Sequence, residues 1–263
     1  MSADGKMTMK DELGQIRLDR TLTNWALGNE ENREAIGEGW AIAEEFLRLH
    51  ARGLRHISRA AGPTPSESDK AVILLGTHGL NLYMTALRLI VGGLFDVASH
   101  LFRGLLDCQS LLYVTAKDEE AAAKFMLEPE KLRASEGRKV MINDLRNADE
   151  DQLANDIEAR YQQEAKAANS LSHVSVLHAD KLVRMKANSV TPIAGGVAAP
   201  GEARLLWLVA LEQESWMLSW LRAFRSSSLD SDWVVQYEAA KGRFREWFLK
   251  EAQELQIDKM QKG

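Results

Sequence analysis

Apolar residues recur at the 3.6-residue period of an α-helix along almost the whole chain, and no segment alternates at the two-residue period of a half-buried strand. This periodicity predicts an all-α fold, a multi-helix bundle with a central antiparallel helical hairpin. The prolines fall between the periodic segments, where helices should end. The predicted helices span about residues 8–27, 30–60, 67–91, 94–116, 118–127, 129–147, 150–168, 170–187, 203–226 and 229–255.

Two proline-containing stretches indicate how the chain is organised. Residues 63–69 form the clearest linker, where Ser66 or Ser68 can cap the following helix. Pro192 and Pro200 bracket a glycine-containing loop or lid. We therefore predict an N-terminal helical hairpin over residues 1–62, the linker at 63–69, a helical bundle core over 70–255 and a C-terminal tail at 256–263.

The bulk composition narrows the class of protein. With 45% hydrophobic and 27% charged residues, the chain has the composition of a soluble globular protein. Its net charge of -5 argues against a general nucleic-acid binder, although it is compatible with a local basic patch. The lone cysteine, Cys108, cannot form an internal disulfide, so we expect a reducing, cytoplasmic location. Its apolar neighbours predict an inert core thiol.

Two consecutive apolar helices, joined at Gly92-Gly93, each carry a thin polar stripe. Neither stripe contains the lysine or glutamate that solvated helix faces normally use, so we expect these polar groups to be buried or half-buried and paired. A membrane span over residues 71–95 is not predicted, because His78, Asn81 and Arg88 would be costly in lipid. The first stripe comprises Thr77, His78, Asn81, Thr85 and Arg88, and the second comprises Asp96, Ser99, His100, Arg103, Asp107 and Ser110.

Folding these helices antiparallel about Gly92-Gly93 brings the two stripes together as a polar seam. Residues whose numbers add up to roughly 184 then lie at equal height, which predicts four chemically matched pairings. One interpretation is a self-satisfied network that fixes the helix register. The other is a functional site, since histidine between carboxylates can move protons near neutral pH. The predicted pairings are Arg88 with Asp96, Thr85 with Ser99 and His100, Asn81 with Arg103, and His78 with Asp107.

A third helix can close the seam, because Ser172, Ser175 and His178 follow one another at three-residue intervals along one ridge. A Ser–His nucleophile pair is one interpretation of this ridge, but no group that would orient the base is visible. The side chains of His78, His100, Asp107 and His178 are of types that suit a transition metal, but the spacing within each helix does not demand one, so no metal site is predicted. The sequence specifies no cofactor, and it contains no dinucleotide-binding, Walker A or His-Glu-x-x-His motif.

The C-terminal helices are rich in aromatic residues at helical spacing, from Trp207 to Phe248. Packing in a core is the first explanation of this pattern, and an exposed part of it would mark a dimer face. We therefore predict a homodimer formed through these helices, with no membrane partner.

One block of the sequence resembles a family of uncharacterised, all-helical prokaryotic proteins, known as a domain of unknown function. In this block Arg103, three further residues and Asp107 precede Tyr113, and an acidic helix start follows at residues 118–120. The family more often has Glu at the position of Asp107.

A second block extends the resemblance to the later helices. It contains Tyr161, Leu171-Ser172 and His178, followed by a Gly/Pro loop and an apolar helix. The likeness covers roughly residues 70–225, so the N-terminal hairpin lies outside it. It implies that Arg103, Asp107, Ser172 and His178 belong together, and it implies no activity.

Two functional hypotheses follow from the seam. The leading one is a binding or interaction protein whose seam holds either itself or a small anionic ligand, since Arg88 and Arg103 suit a phosphate or a carboxylate. The alternative is a hydrolase or nuclease of a bacterial defence or toxin-type system, in which His100 or His178 is the general base and Arg103 stabilises negative charge. The predicted ligand-binding residues are His78, Asn81, Arg88, Asp96 and Ser172, and the predicted catalytic residues are His100, Arg103, Asp107 and His178.

Overall fold

The computed structural model describes residues 30–128, 131–172, 183–186, 189–192 and 199–261, with side chains described over 30–128, 131–162 and 199–254. Within these ranges the chain is an all-α multi-helix bundle, as predicted. A short helical segment over residues 30–36 precedes the first long helix. The helices are α1 (Gly39–Ala61), α2 (Glu67–Val91), α3 (Phe95–Lys117), α4 (Glu119–Leu127), α5 (Ala134–Asn147), α6 (Asp151–Ser172), α7 (Pro200–Arg225) and α8 (Ser231–Gln261).

Local chemistry explains where several of these helices begin. The predicted helix over 30–60 is broken at Gly37, whose φ of 53° is accessible to glycine at little cost. Helix α2 begins after Ser66, whose side chain accepts the backbone N–H of Asp69 at 3.1 Å, as an N-cap should. Gly93, with a φ of 73°, forms the turn between α2 and α3. Pro200 starts α7 at a position where its missing N–H costs nothing.

The predicted helix over 170–187 is wrong at residues 183–186. Helix α6 continues to Ser172, and Val183–Lys186 then pairs antiparallel with Ser189–Pro192 as a two-stranded sheet. Val and Thr in these two segments favour strands, and Pro192 ends the second one, which outweighs the weak helical period. Residues 173–182, including His178, lie outside the described residues.

In the part of the chain that the structure describes, the helices enclose two hydrophobic cores. The larger core contains buried residues of α1, α2, α3, α7 and α8, while the smaller one lies between α3, α5, α6 and α7. Helix α1 thus shares its core with the bundle that follows the predicted linker, and residues 1–29 of the predicted N-terminal hairpin lie outside the described residues. No helix in the described part of the chain is long and apolar enough to span a membrane.

Contacts along α3 fix the directions of its neighbours. Helix α2 runs antiparallel to α3, since Ser68 contacts Thr115 near one end and Leu82 lies against Gly104 further along. Helix α7 runs parallel to α3, because Gln109 donates to the Gln213 carbonyl and Ala116 contacts Arg225. Helix α6 contacts both of these helices, since Arg160 forms an ion pair with Glu212 of α7 and the Tyr161 hydroxyl donates to the Leu106 carbonyl of α3.

The aromatic residues of α7 and α8 pack within the chain's own cores. Trp207, Trp233 and Tyr237 are almost completely buried, and the rings of Trp233 and Tyr237 stack with centroids 5.3 Å apart. Core packing therefore accounts for the C-terminal aromatic pattern. The homodimer through these helices stays a prediction.

Candidate functional site

The polar stripe of α2 lies on the surface of the bundle. His78, Asn81 and Arg88 are exposed, together with Thr77 and Thr85. The prediction that this stripe is buried or half-buried is therefore wrong. The physical reason is that the other faces of α2 carry apolar residues that pack in the core. The thin polar face is therefore the one that remains in contact with solvent.

The stripe of α3 lies closer to the core but does not pair with α2. The side chains of His78, Asn81 and Arg88 make no hydrogen bond or ion pair to it among the described residues. The hydroxyls of Thr85 and Ser99 instead donate to carbonyls four residues earlier in their own helices, as such residues commonly do. On α3, Asp96, Ser99, Arg103 and Asp107 are half-buried, Ser110 is buried and His100 is exposed.

The two helices meet through small and apolar residues rather than through the predicted seam. A Cβ atom at Gly104 would lie 3.1 Å from Leu82 Cδ1, and one at Gly79 would lie 4.0 Å from Cys108 Cβ. These glycines let the helices approach closely, so the four predicted polar pairings are not formed.

Arg103 and Asp107 belong to a polar cluster between α3, α5 and α6. Arg103 Nε donates to Asp107 Oδ2 at 3.2 Å, and its guanidinium carbon lies 5.0 Å from the ring centroid of Tyr161. The guanidinium carbon of Arg138, on α5, lies 4.2 Å from the same centroid. We call Arg103, Asp107, Arg138 and Tyr161 the Tyr161 cluster. Sequence reasoning missed Arg138, and no pattern in the sequence connects it to α3.

The remaining predicted site residues are not brought into this cluster by the described structure. The side chain of Ser172 and the whole of His178 lie outside the described residues, so their association with Arg103 and Asp107 stays a prediction. His100 lies one turn before Arg103 on α3 and is exposed. Across the described residues, no group of three or more His, Cys, Asp or Glu side chains could hold a metal ion.

A cavity of about 510 Å³ lies between α1, α2 and α7. Its size falls within the range of small-molecule sites, roughly 300–1,000 Å³, and its lining is mostly apolar, as in such sites. We call it the Trp40 pocket. Its lining residues are Trp40, Ala43, Glu44, Leu47, Met84, Leu87, Arg88, Val91 and Trp207.

Two stacked indole rings form one wall of the Trp40 pocket. The ring centroids of Trp40 and Trp207 are 5.5 Å apart, with an angle of 15° between the planes. Trp207 Nε1 donates to the Gly39 carbonyl and Trp40 Nε1 donates to Glu44 Oε1, each at 2.9 Å. Because both N–H groups are bonded, the rings are held in place. Trp207 is only 1% exposed, so Trp40 provides most of the indole surface that a ligand could contact.

Two charged side chains, Glu44 and Arg88, line the pocket and are exposed to solvent. The Glu44 carboxylate accepts the Trp40 N–H and lies 3.5 Å from Arg48 Nη2, so nearby groups offset much of its charge. Arg88 forms no ion pair with any other residue that the structure describes. The lining of the pocket therefore combines a mostly apolar wall with the guanidinium of Arg88, which the described side chains do not neutralise. A second guanidinium, that of Arg33, lies over the Trp40 ring, with its carbon 4.7 Å from the ring centroid.

A larger groove of about 700 Å³ follows the outer side of α1. Its Arg52 donates to Asp230 at 3.1 Å and to Asp232 at 2.8 Å, so this cation of the groove is neutralised within the chain. The groove lacks the aromatic wall of the Trp40 pocket. We therefore take the Trp40 pocket as the better candidate site.

The most deeply buried polar pair lies further along the same three helices. His50 Nδ1 is 2.5 Å from Glu214 Oε1, and both side chains are 0% exposed. The hydroxyl of Tyr83 is buried nearby, and burial, aided by the charge of Glu214, raises the pKa of Tyr83 well above its ordinary value. His50 lies one turn beyond Leu47 of the pocket. The sequence signal for this pair is only that each residue stands on an otherwise apolar helix face.

The buried cysteine has no sign of reactivity. Burial raises the pKa of the Cys108 thiol to about 12, and the charge of Asp107 adds to the effect. A thiol with this pKa stays protonated at neutral pH and is a poor nucleophile. This agrees with the expectation of an inert core thiol.

Comparisons with known proteins found no match to this chain. No protein-family model matches the chain. Searches among curated proteins and among solved structures also found no match.

Proposed function

We propose that this chain is a binding protein for a small amphipathic anion, which it holds in the Trp40 pocket. The observation that carries the proposal is the position of Arg88, an exposed guanidinium without an ion pair among the described residues, on a cavity of about 510 Å³ walled by Trp40 and Trp207. An apolar ligand body would cover the rings and aliphatic side chains, and its anionic group would bind the guanidinium.

Three features support this assignment over a purely structural cavity. The indole wall is held by two hydrogen bonds, so little conformational entropy is lost when a ligand binds. Leu47 and Met84 are only half-buried, which leaves apolar surface for a ligand to cover. Arg88 is also one of the residues that the sequence predicts for anion binding.

A pair of fluorescent probes tests the proposal. 8-Anilinonaphthalene-1-sulfonate carries an anionic group on an apolar body, and N-phenyl-1-naphthylamine is the same body without the sulfonate. The folded protein should bind both probes, and each bound probe should quench the tryptophan fluorescence of the protein. The R88Q variant should bind the sulfonate roughly 10- to 100-fold more weakly, because a hydrogen bond to a charged group contributes about 1.5–3 kcal/mol. Its affinity for the neutral probe should be unchanged.

Two further variants separate the pocket from other surfaces. R55Q removes the same charge from an exposed position of α1 outside the pocket, and it should leave the binding of both probes unchanged. M84W fills the cavity and should weaken the binding of both probes. Equal loss of sulfonate binding in R88Q and R55Q would reject the proposal, as would full binding by M84W.

Native mass spectrometry offers an independent route to the natural ligand. The mass of the purified protein is compared under native and denaturing conditions. An additional mass that is lost on denaturation, and that R88Q fails to retain, would identify the anion. An additional mass retained equally by R88Q would place the ligand elsewhere.

A further inference from the structure

The Tyr161 cluster holds two positively charged groups against one aromatic ring. The guanidinium carbons of Arg138 and Arg103 lie 4.2 and 5.0 Å from the centroid of Tyr161. These distances place the two guanidinium carbons no more than about 9 Å apart, a separation that one tetrahedral anion can bridge when N–H groups of both arginines point towards it. This cluster lies between α3, α5 and α6 and shares no residue with the Trp40 pocket.

Buried contacts fix the geometry of the cluster. The hydroxyl of Tyr161 donates to the Leu106 carbonyl and contacts the hydroxyl of Ser110, and its ring is only 3% exposed. A Cβ atom at Gly137 would lie 2.6 Å from the Ser110 carbonyl oxygen, so only glycine allows α5 to pack this closely on α3. This close packing places the next residue, Arg138, beside the ring.

The positive charge of the cluster is only partly neutralised within the described chain. Arg103 uses its Nε for Asp107 Oδ2 at 3.2 Å, and no described carboxylate forms an ion pair with Arg138. The one acidic member, Asp107, still has a buried oxygen, Oδ1, without a hydrogen bond. Two guanidiniums and one carboxylate leave one net positive charge, while several N–H donors of both arginines are free to bind an anion.

We propose that Arg103 and Arg138, packed on Tyr161, form a binding site for a phosphate-type oxyanion. A carboxylate is satisfied by a single guanidinium fork, whereas the several oxygens of a phosphate can accept from two forks at once. The side chain of Arg103 is 31% exposed, so an anion can reach it from solvent without opening the core. Binding would also relieve the repulsion between two like charges held by the same ring.

Phosphate binding is measured by isothermal titration calorimetry at constant ionic strength, with inorganic phosphate, AMP and adenosine as probes. The wild-type chain should bind phosphate and AMP but not adenosine. A tighter affinity for AMP than for phosphate indicates a phosphorylated ligand, and equal affinities indicate free phosphate. Substituting either arginine, as R103Q or R138Q, should weaken phosphate binding by at least about tenfold.

Lys139 provides the matched control. It follows Arg138 on α5 but is exposed, so K139Q makes the same charge change without touching the cluster. K139Q should bind phosphate within about twofold of the wild type, since an exposed charge is largely screened by salt. If K139Q and R138Q lost phosphate affinity to the same extent, the loss would come from the overall charge of the protein, and the proposal would be overturned. Failure of the wild type to bind phosphate at millimolar concentration would also overturn it.

The proposals for the two sites can be tested independently of each other. R138Q should bind both fluorescent probes of the Trp40 pocket as tightly as the wild type, and R88Q should bind phosphate as tightly as the wild type. Each variant is compared with the wild type by circular dichroism and urea unfolding, so a binding loss is scored only for a folded chain. Loss of both activities in either variant would show that one of the two assignments is wrong.

Discussion

Two acid–base pairs in this protein differ in almost every respect that governs their energy. His50 and Glu214 lie 164 residues apart in sequence, on different helices, and are completely buried. Arg103 and Asp107 are neighbours on one helix, and their side chains are 31% and 34% exposed. The first pair depends on how the helices pack, whereas the second depends on the helix alone. The comparison separates contacts that hold the bundle together from contacts that any helix of this sequence would make.

The largest effect is expected from the buried pair. H50L removes the only described hydrogen-bond partner of the Glu214 carboxyl group and should lower the free energy of unfolding by about 3–5 kcal/mol, since breaking a buried pair leaves the other polar group without its partner. The measurement is urea unfolding followed by circular dichroism.

The double variant H50L/E214M tests the cause of that loss. It replaces both polar groups by apolar side chains of similar volume, so it should recover most of the lost stability. If the double variant is as unstable as H50L, the loss comes from packing rather than from an unpaired carboxyl group.

A second long-range contact should show a smaller effect. In G39A, the added Cβ atom would lie 2.6 Å from Trp247 Cζ2 and 3.1 Å from Trp207 Cδ1, so two buried rings would have to move. Overpacking of this kind should lower the free energy of unfolding by about 1–3 kcal/mol.

Gly242 is the matched control for G39A. It lies within α8, is exposed, and a Cβ atom there would meet nothing within 4 Å. G242A should therefore raise the free energy of unfolding by up to about 1 kcal/mol, because alanine has the higher helix propensity. If G242A destabilised the protein as much as G39A does, the loss in G39A could not be assigned to the contact at Gly39.

The local pair should matter little for stability. R103M removes an i,i+4 ion pair of about 0.2–0.5 kcal/mol and a half-exposed cation–π contact of about 0.5–1 kcal/mol. The free energy of unfolding should fall by no more than about 1.5 kcal/mol, while phosphate binding at the Tyr161 cluster is lost. A loss of stability as large as that of H50L would contradict the distinction between the two pairs.

The smallest effect concerns an exposed carboxyl group at the start of α8. The pKa of Asp230 is lowered from its ordinary value of 3.8, chiefly because the carboxylate accepts the Trp233 backbone N–H and also because Arg52 donates to it. A lowered folded-state pKa stabilises the fold above the unfolded pKa, and this contribution is lost as the pH falls through the folded pKa. An NMR titration should find the Asp230 pKa below 3.8, and R52M should raise it towards that value.

The sequence predicts the helices of this protein well because their boundaries depend on local chemistry. The predicted span 67–91 coincides with α2, and the Ser66 cap was among the expected ones. The prediction failed at residues 183–186, where a helical period competes with strand-forming residues and the pairing with 189–192 decides the outcome. Local preference is weak there, and an interaction outside the segment determines its structure.

The candidate sites were less predictable than the helices. Arg103 with Asp107 follows from the spacing of residues on one helix. Arg88 was expected to bind an anion, yet as part of a buried seam, and it is instead exposed at a pocket. The stripe of α2 carried too little information to decide between solvent and a partner helix, because Thr, Asn and His are compatible with both environments.

The sequence alone determined the all-α class, most helix ends and the local pairs, since each depends on residues within a few positions of one another. Only the tertiary structure decided which helix faces meet, and with them the stacking of Trp40 on Trp207, the contact of His50 with Glu214 and the approach of Arg138 to Tyr161. These pairs join residues far apart in the chain. Their formation depends on how whole helix surfaces fit together, which no single helix period specifies.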